Sequence, residues 1–168
     1  RLWQVSPTTG TIGTRITIWG DGYSNQETIF FKLGILGTIS TYPSLIQASS
    51  AGTYSAIFII NTQVSGTCTI EATGFGLGKS NQSTTNYVWI DGHITNVLPA
   101  SGPVGTFVTV TGDGFEYGQI GIGFGQTPTL TNEMSSPNGS FTKSFVVDTQ
   151  FYGTQAVKAY MTNNQNVF

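Results

Sequence analysis

Side chains that could perform acid–base or nucleophilic chemistry are scarce in this sequence of 168 residues. His93 is the single histidine and Cys68 the single cysteine, so a Ser-His-Asp or Cys-His arrangement would have to form around His93. That histidine stands in Asp91-Gly92-His93, between two strand patterns, where an interdomain junction is the simpler interpretation. With one thiol, neither an intrachain disulfide nor a cysteine metal site can form. We therefore predict no catalytic residue, no enzyme activity and no cofactor.

The carboxylates are also too few to predict a metal site. Asp21 and Asp113 each stand in a Gly-Asp-Gly turn, with Glu27 six residues after the first and Glu116 three residues after the second. Such oxygen ligands suit Ca²⁺, so a weak calcium site is the alternative. A carboxylate in a glycine turn more often accepts hydrogen bonds from turn amides. We predict no metal.

The low charge excludes several classes of partner. Lys and Arg number 6 and Asp and Glu 8, so 8% of the chain is charged, against roughly 25% in an average domain. The scattered cations give no patch for a phosphate backbone, and nucleic acid is not an expected partner. No apolar run approaches the roughly 20 residues that cross a bilayer, so no membrane insertion is expected in this segment. The Thr, Ser, Asn and Gln surface favours an extracellular or cell-surface location.

The sequence contains two copies of one unit. Residues 7–14 recur as 99–106, which is 92 positions later (99 minus 7), and 52–54 recur as 139–141, which is 87 positions later (139 minus 52). The smaller offset means that residues were inserted or deleted between the two matching segments, and such changes are tolerated in loops. We predict two domains, residues 1–91 and 92–168.

The second copy is expected to lack or shorten its last strand, at 166–168. Three explanations stay open: the chain is an excerpt of a longer array, the strand is short, or a neighbouring subunit donates a strand.

Hydrophobic residues alternate with polar ones, which indicates β-strands with one buried face. The alternation and the frequent glycine and proline turns predict an antiparallel sandwich of six or seven strands per copy. Two features break the rule. Ile57, Ile59 and Val146 make one strand apolar on both faces, which predicts a more covered strand. Lys143 takes the inward position of Ala56, and the sequence does not explain it.

A glycine and proline framework precedes the second long strand of each copy. Proline ends the first strand, and each glycine allows a positive φ where the chain must reverse. An aromatic residue, Tyr23 or Phe115, is expected to close the end of the sandwich. Gly74–Gly78 and Gly121–Gly125 are predicted to be loops or strand ends with close backbone approach. The framework residues are Pro7, Gly10, Gly13, Gly20, Gly22, Pro99, Gly102, Gly105, Gly112 and Gly114.

The stretches from Pro7 to Tyr23 and from Pro99 to Phe115 resemble the opening motif of the IPT/TIG-like immunoglobulin-fold repeats. The resemblance covers both copies and implies an all-β fold of two tandem immunoglobulin-like antiparallel sandwiches. Members of that family occur in microbial surface and adhesion proteins, in receptor ectodomains, beside catalytic domains of polysaccharide enzymes, and in transcription factors. The low charge is similar to that of the microbial surface group.

Three functions are compatible with these features. The first is a non-enzymatic structural module of a surface layer, stalk or filament, whose partners are other copies or neighbouring repeats. The second is an adhesin or carbohydrate-binding module that binds glycans through exposed aromatics. The third is an accessory domain of a polysaccharide-active enzyme. The candidate aromatics are Trp3, Trp19, Trp89, Tyr117 and Tyr152. Core, interdomain or subunit contacts are the simpler interpretation of these residues.

Two further features concern modification and stiffness. Asn81 and Asn138 fit the acceptor pattern for N-glycosylation and lie in predicted loops. Asp91, Gly92 and His93 alone separate the copies, and so short a junction should restrict bending between them.

Overall fold

The computed structural model describes residues 1–34, 37–75 and 83–162. These segments form strands β1 to β14, with no α-helix among them. They make two compact units. The first contains residues 1–61 and 66–90, and the second contains 62–65 and the chain from Asp91 onward. The predicted all-β, immunoglobulin-like antiparallel fold is confirmed.

The first unit consists of two sheets. Antiparallel β1, β3 and β6 lie side by side in the order β1-β3-β6, and the other sheet has the order β2-β8-β7-β4-β5. The pair β2–β8 is parallel and the other pairs are antiparallel. The strands are β1 (Leu2–Ser6), β2 (Thr9–Gly10), β3 (Arg15–Gly20), β4 (Thr28–Leu33), β5 (Ile46–Gln47), β6 (Tyr54–Ile59), β7 (Gly66–Phe75) and β8 (Ser83–Ile90).

The second unit repeats this plan with six described strands. Its sheets have the orders β13-β10-β9 and β12-β11-β14, all antiparallel. The strand expected at 166–168 lies outside the described residues. The strands are β9 (His93–Leu98), β10 (Phe107–Asp113), β11 (Gln119–Phe124), β12 (Thr127–Met134), β13 (Phe141–Val146) and β14 (Val157–Met161).

The alternation of side chains builds a separate core in each unit. Ile16 and Ile18 of β3 are fully buried, as are Phe31 and Leu33 of β4 on the opposite sheet. Because successive side chains of a strand point to opposite faces, every second residue enters the space between the sheets. Within the described part of the second unit, nine buried hydrophobic residues form a core: Val108, Val110, Phe115, Ile120, Ile122, Phe141, Phe145, Ala159 and Met161.

The aromatic residues after the Gly-Asp-Gly turns lie in these cores, as expected. Tyr23 is buried, and its hydroxyl donates a hydrogen bond to the carbonyl of Ala72 at 3.2 Å. Phe115 is fully buried and meets Phe141 edge to face, with 5.1 Å between ring centroids. Edge-to-face contact at this spacing is a favoured arrangement of aromatic rings.

The predicted cover over the outer face of β6 and β13 is wrong at two positions. Ile59 is 62% exposed and Val146 is 53% exposed. Only Ile57 is half-buried, because Tyr42 pairs with it through two backbone hydrogen bonds of 2.7 and 2.9 Å along the β6 edge. The apolar outer residues of these strands therefore face outward.

Lys143 has a structural explanation that the sequence did not supply. Its Nζ lies 3.2 Å from Oε2 of Glu133 on β12, a strand of the opposite sheet. Hydrogen bonds from the Met134 amide and from Lys143 lower the pKa of Glu133. The second unit thus has an ion pair at the position where the first unit has Ala56.

The framework glycines divide into two groups. Gly13, Gly22, Gly105 and Gly114 have positive φ, between 71° and 90°. The other four lie outside that conformation, so a demand for positive φ does not explain them. They are needed because a neighbouring side chain occupies the space of a Cβ. The pairs are Gly10 with Thr14, Gly20 with Tyr54, Gly102 with Thr106, and Gly112 with Phe141. β1 and β9 end immediately before Pro7 and Pro99.

Candidate functional site

The outer face of the five-stranded sheet in the first unit carries four large exposed aromatic residues, which we call the aromatic face. They are Phe30 on β4, Phe75 on β7, and Tyr87 and Trp89 on β8. Register places Phe30 opposite Thr73, and Trp89 opposite Thr67. The rings of Phe30 and Phe75 meet edge to face with 5.8 Å between centroids. The face therefore presents an aromatic pair at one end and two further rings toward the other.

Strand phase explains why these rings point outward. Ile29, Phe31 and Leu33 fill the core from β4, so Phe30 must lie on the opposite face. Only Trp89 of the four was among the aromatics that the sequence analysis selected. The signal for Phe30 was present in the alternation of β4. Exposed aromatic rings of this kind can pack on a protein surface or on a sugar ring.

The other selected aromatics lie on separate elements. Trp3 on β1 is exposed and Trp19 on β3 is half-buried, both in the first unit. Tyr117 and Tyr152 are exposed in the second unit, outside its strands.

A groove of about 770 Å³ lies on the outer face of the β12-β11-β14 sheet; we call it the β11 groove. It forms where β11 has glycine on its outer side. A Cβ at Gly123 would overlap the carbonyl of Pro128, and one at Gly121 would lie 2.6 Å from the ring of Tyr160. The side chains around it are Gln119, Phe124, Gln126, Thr127, Pro128, Thr129, Asn132, Lys158, Tyr160 and Thr162.

The wall of the β11 groove is held by hydrogen bonds across the sheet. The Tyr160 hydroxyl donates to the carbonyl of Pro128 at 3.1 Å and also contacts the hydroxyl of Thr129. Thr162 donates to the carbonyl of Gln119 at 3.0 Å. The lining combines hydroxyl and amide side chains with three rings, those of Phe124, Pro128 and Tyr160, and with the ammonium group of Lys158. Such a lining can exchange hydrogen bonds with a polar ligand beside the ring of Tyr160.

A smaller hollow of about 550 Å³ lies beside the edge of β6 in the first unit. Its lining includes Arg15, Tyr42, Ile57 and Ile59. It is largely apolar and has one cation, and the sequence analysis did not identify it.

His93 and the two turn aspartates form equivalent pairs in the two units. His93 begins β9, and its Nδ1 lies 2.9 Å from Oδ1 of Asp113. In the first unit, Arg1 Nε lies 3.3 Å from Oδ1 of Asp21. Each pair sits at one repeat offset from the other, since 93 minus 1 and 113 minus 21 both equal 92. The single histidine thus occupies the position of a cation in the other copy.

The junction residues pack against the second unit. A Cβ at Gly92 would lie 3.1 Å from the carbonyl of Gly114 and 3.2 Å from the ring of Phe115. A Cβ at Gly114 would lie 2.9 Å from the carbonyl of Asp91. Only these two residues separate β8, which ends at Ile90, from β9.

The carboxylates do not converge on a metal site. Glu27 is buried, and its Oε2 accepts a hydrogen bond from the Ser24 amide at 2.7 Å, so it caps its own turn. Glu116 is exposed. Across residues 1–34, 37–75 and 83–162, no three His, Cys, Asp or Glu side chains group as metal ligands. The same segments contain no helix long and apolar enough to cross a membrane.

The single thiol is poorly placed for chemistry. Cys68 is buried on β7, and burial raises its pKa. A raised pKa reduces the thiolate, which is the reactive form.

Of the two glycosylation candidates, Asn138 is exposed in a turn. Its Oδ1 accepts hydrogen bonds from the Ser140 amide at 3.2 Å and the Ser140 hydroxyl at 2.9 Å. Asn81 lies outside the described residues.

No protein-family model matches the chain, and no relative is found by sequence among characterised proteins. Among solved structures, the chain is similar to a tetra-tandem repeat in the extending region of a large adhesion protein. The TM-score is 0.50 at 15% sequence identity, and the alignment covers 98% of this chain and 45% of that one. The chain thus spans less than half the length of that structure, and the likeness is one of fold.

Two further likenesses are too weak to support a conclusion. The periplasmic chaperone SfaE aligns with a TM-score of 0.35 at 8% identity, over 98% of this chain and 95% of that one. The BSP domain of a biofilm-associated protein aligns with a TM-score of 0.31 at 16% identity, over 99% of this chain and 28% of that one.

Proposed function

We propose that this chain is a non-enzymatic structural module of an extracellular or cell-surface assembly, acting as a stiff spacer and a protein–protein contact unit. In this proposal residues 1–91 and 92–168 are successive IPT/TIG-like repeats, and their partners are other copies or neighbouring repeats. The assembly is a surface layer, stalk or filament. A tandem repeat in the extending region of an adhesion protein has a similar fold, which supports an adhesion-related role.

The packed junction is the observation that carries this proposal. Asp91 and Gly92 lie against the Gly114 turn and Phe115, and His93 pairs with Asp113. Because these residues are in contact with the turn, their backbone torsion angles are less free to rotate than those of a flexible Gly/Ser linker. The thiol of Cys68 is buried and Glu27 caps a turn. Asp113 lies beside His93 and Glu133 beside Lys143, so these described side chains have structural partners, as a structural module requires.

Stiffness can be tested by electron spin resonance distance measurement. Spin labels at Ser55 and Thr142, which are repeat-equivalent exposed positions on β6 and β13, would be introduced into a Cys68→Ala background. We expect a narrow distance distribution. The control is the same protein with a Gly-Ser-Gly-Ser insertion after Ile90, which leaves the Asp91–Gly92 packing intact and should broaden the distribution. A broad distance distribution in the protein without the insertion would refute the spacer function.

Surface location has its own test. Antibodies raised against this segment should label intact cells of the producing organism, and external protease should remove the label. Label that appears only after the cells are broken would refute the proposed location.

Carbohydrate binding is the second candidate, because the β11 groove offers hydroxyls, amides and the ring of Tyr160. A glycan array followed by titration of the hits tests it. Tyr160→Ala should abolish binding in the groove, Trp89→Ala should abolish binding on the aromatic face, and Tyr117→Ala serves as an exposed aromatic control. Retained binding in both Tyr160→Ala and Trp89→Ala would refute these sites. An accessory role beside a polysaccharide-active catalytic domain would rest on the same binding.

A further inference from the structure

A four-residue loop of the first copy folds as part of the second unit. This seated loop, residues 62–65, follows β6 and precedes β7, yet it belongs to the second compact unit. Gln63 is only 6% exposed, although it is polar, and Val64 is half-buried. A Cβ at Gly139 would lie 3.0 Å from the Gln63 carbonyl and 3.1 Å from Cα of Val64. The turn 136–140 therefore receives the seated loop backbone to backbone.

The second copy has the equivalent loop, and its tip is exposed. Residues 149–152 correspond to 62–65 at an offset of 87 (149 minus 62), with Gln150 in the place of Gln63. Phe151 replaces Val64 and is 73% exposed, and Tyr152 replaces Ser65 and is fully exposed. We call residues 149–152 the open loop. Two adjacent exposed aromatics at a loop tip are typical of a contact that has not been made.

Hydrogen bonds hold the base of the open loop in place. The side-chain Nε2 of Gln150 donates to Asp148 Oδ1 at 2.7 Å and to Thr127 Oγ1 at 3.1 Å. Its side-chain Oε1 accepts a hydrogen bond from the backbone amide of Gln126 at 2.9 Å. The Thr127 hydroxyl donates to Asp148 Oδ2 at 2.5 Å. Because these bonds fix the base of the loop, docking its tip would lose less conformational entropy than docking a free segment.

The first unit contains the turn that would receive such a loop. In the turn 49–53, the Gly52 amide donates to the Ser49 carbonyl at 2.9 Å, and the Gly139 amide donates to the Ser136 carbonyl at 2.8 Å in the second unit. The Gly52 carbonyl accepts from the Tyr23 amide, as the Gly139 carbonyl accepts from Phe115. The φ values of the two glycines are 75° and 82°. Residues 49–51 are exposed.

We propose that the open loop docks on the turn 49–53 of a second copy of this chain, as the seated loop docks on the turn 136–140 within it. The inference deepens the proposed function, on which it rests, by naming the contact surface and its partner. The two surfaces differ, so the association is head to tail and continues as a linear chain unless a rotation closes it. Neither surface carries a charge, so salt should not weaken it.

The contact is small, and the expected affinity is correspondingly low. Two aromatic side chains and a five-residue turn make an interface below the roughly 1,200 Å² of stable complexes. Association should therefore be sought at protein concentrations up to about 1 mM, where weak interfaces are occupied. In a continuous assembly, neighbouring contacts would raise the effective concentration.

The test uses sedimentation velocity on the full chain with one donor variant and one acceptor variant. Phe151→Ser/Tyr152→Ser removes the donor, and Ala51→Lys obstructs the acceptor. Each change is at an exposed position, and far-ultraviolet circular dichroism would verify the fold. Tyr117→Ser is the matched control, because it removes an exposed aromatic of the second unit outside the open loop.

We expect the average mass of the wild type and of Tyr117→Ser to rise with concentration, with a dissociation constant at least about ten-fold higher for the donor and acceptor variants. An equimolar mixture of the two variants should form dimers and no longer species, since one intact donor and one intact acceptor remain. A monomeric wild type, association unchanged by the donor variant, or a mixture that stays monomeric would overturn the inference. A stiff junction in the spin-label experiment would still support the spacer function in that case.

Discussion

Replacing Gly20 by alanine should destabilise the first unit through one steric contact. Gly20 ends β3 and pairs with Tyr54 of β6, and a Cβ at Gly20 would overlap the Tyr54 ring. The ring cannot easily move away, because it is buried between Tyr23, at a centroid distance of 5.2 Å, and Phe31, at 5.6 Å. The conformation of Gly20 is open to any residue, so no backbone strain accompanies the change.

The magnitude follows from two opposing effects. Adding a methyl group to a filled core costs about 1–3 kcal/mol, and alanine in place of glycine recovers about 0.4–1 kcal/mol by restricting the unfolded chain. Since Tyr54 is held on both sides, we expect a net loss of about 2 kcal/mol. In a Tyr54→Ala background the new methyl group has room, and the same change should cost about 0 kcal/mol or stabilise slightly.

Gly13→Ala is the matched control. Gly13 has a φ of 87° and no atom within 4 Å of the position of a Cβ. Its substitution should cost about 1 kcal/mol through backbone conformation alone. The cost should be the same in the wild type and in the Tyr54→Ala background. The comparison therefore separates steric overlap from conformational strain.

Tryptophan fluorescence during urea unfolding measures this effect in one unit only. Trp3, Trp19 and Trp89 are the three tryptophans of the chain, and all belong to the first unit. The transition can therefore be followed without a contribution from the second unit, which matters because two domains need not unfold together. An equal loss of stability from Gly20→Ala with and without the Tyr54 ring would show that the overlap is not the cause.

Three more measurements test the cores and the ion pair. Burial raises the pKa of Tyr54, so the phenol stays protonated in the folded unit while the unfolded chain ionises near pH 10. The first unit should thus lose stability as pH rises above about 10, and Tyr54→Phe should remove that loss. The same substitution should change the free energy of unfolding at neutral pH by at most about 1 kcal/mol. An alkaline loss of stability that is unchanged in Tyr54→Phe would contradict this. Thiol labelling of buried Cys68 should follow the fluorescence unfolding curve with urea, whereas rapid labelling of the native chain would show that Cys68 is accessible. Lys143→Ala, which introduces the residue found at position 56, should cost the second unit less than about 1 kcal/mol. Because the pKa of Glu133 is lowered, the stabilisation by the Lys143–Glu133 pair is present above the usual glutamate pKa and is lost as pH falls through the lowered value. Urea unfolding followed by circular dichroism at neutral and at acidic pH measures this difference. An equal cost of Lys143→Ala at both pH values would refute the pairing.

Local patterns predicted the fold because each of them acts within one or two strands. Alternation placed Ile16 and Ile18 inward whatever the partner strand, and Pro7 ended β1 because proline lacks the amide that a ladder requires. The repeat offset then carried each assignment to the second copy. These properties depend on neighbours in sequence, and the structure confirms the resulting immunoglobulin-like architecture.

Features that depend on partners far apart in sequence could not be predicted in the same way. To predict the pair of Lys143 and Glu133, one must know that β12 pairs with β11 in the sheet opposite β13. The first copy gives no guide, because only the short β5 lies at the equivalent edge, beside β4. The β11 groove likewise depends on glycines whose outer side is bordered by two particular strands. The exposure of Ile59 depends on how far the segment around Tyr42 covers the edge of β6.

The pair of His93 and Asp113 is an intermediate case, since the repeat offset aligns its two residues with Arg1 and Asp21 but does not show that the side chains meet. A lone histidine invites comparison with catalytic arrangements, whereas the informative comparison was with Arg1, one repeat earlier. Antiparallel pairing places residue 93 opposite residue 113 on adjacent strands. A nitrogen-bearing side chain at one repeat position therefore lies beside an aspartate at the other in both units. A pair of this kind that recurs beside the glycine turn of each repeat is a feature of the scaffold. Its recurrence at the start of each copy indicates that His93 occupies a repeat position filled by Arg1 in the first copy, which is a structural reason for a histidine at the junction.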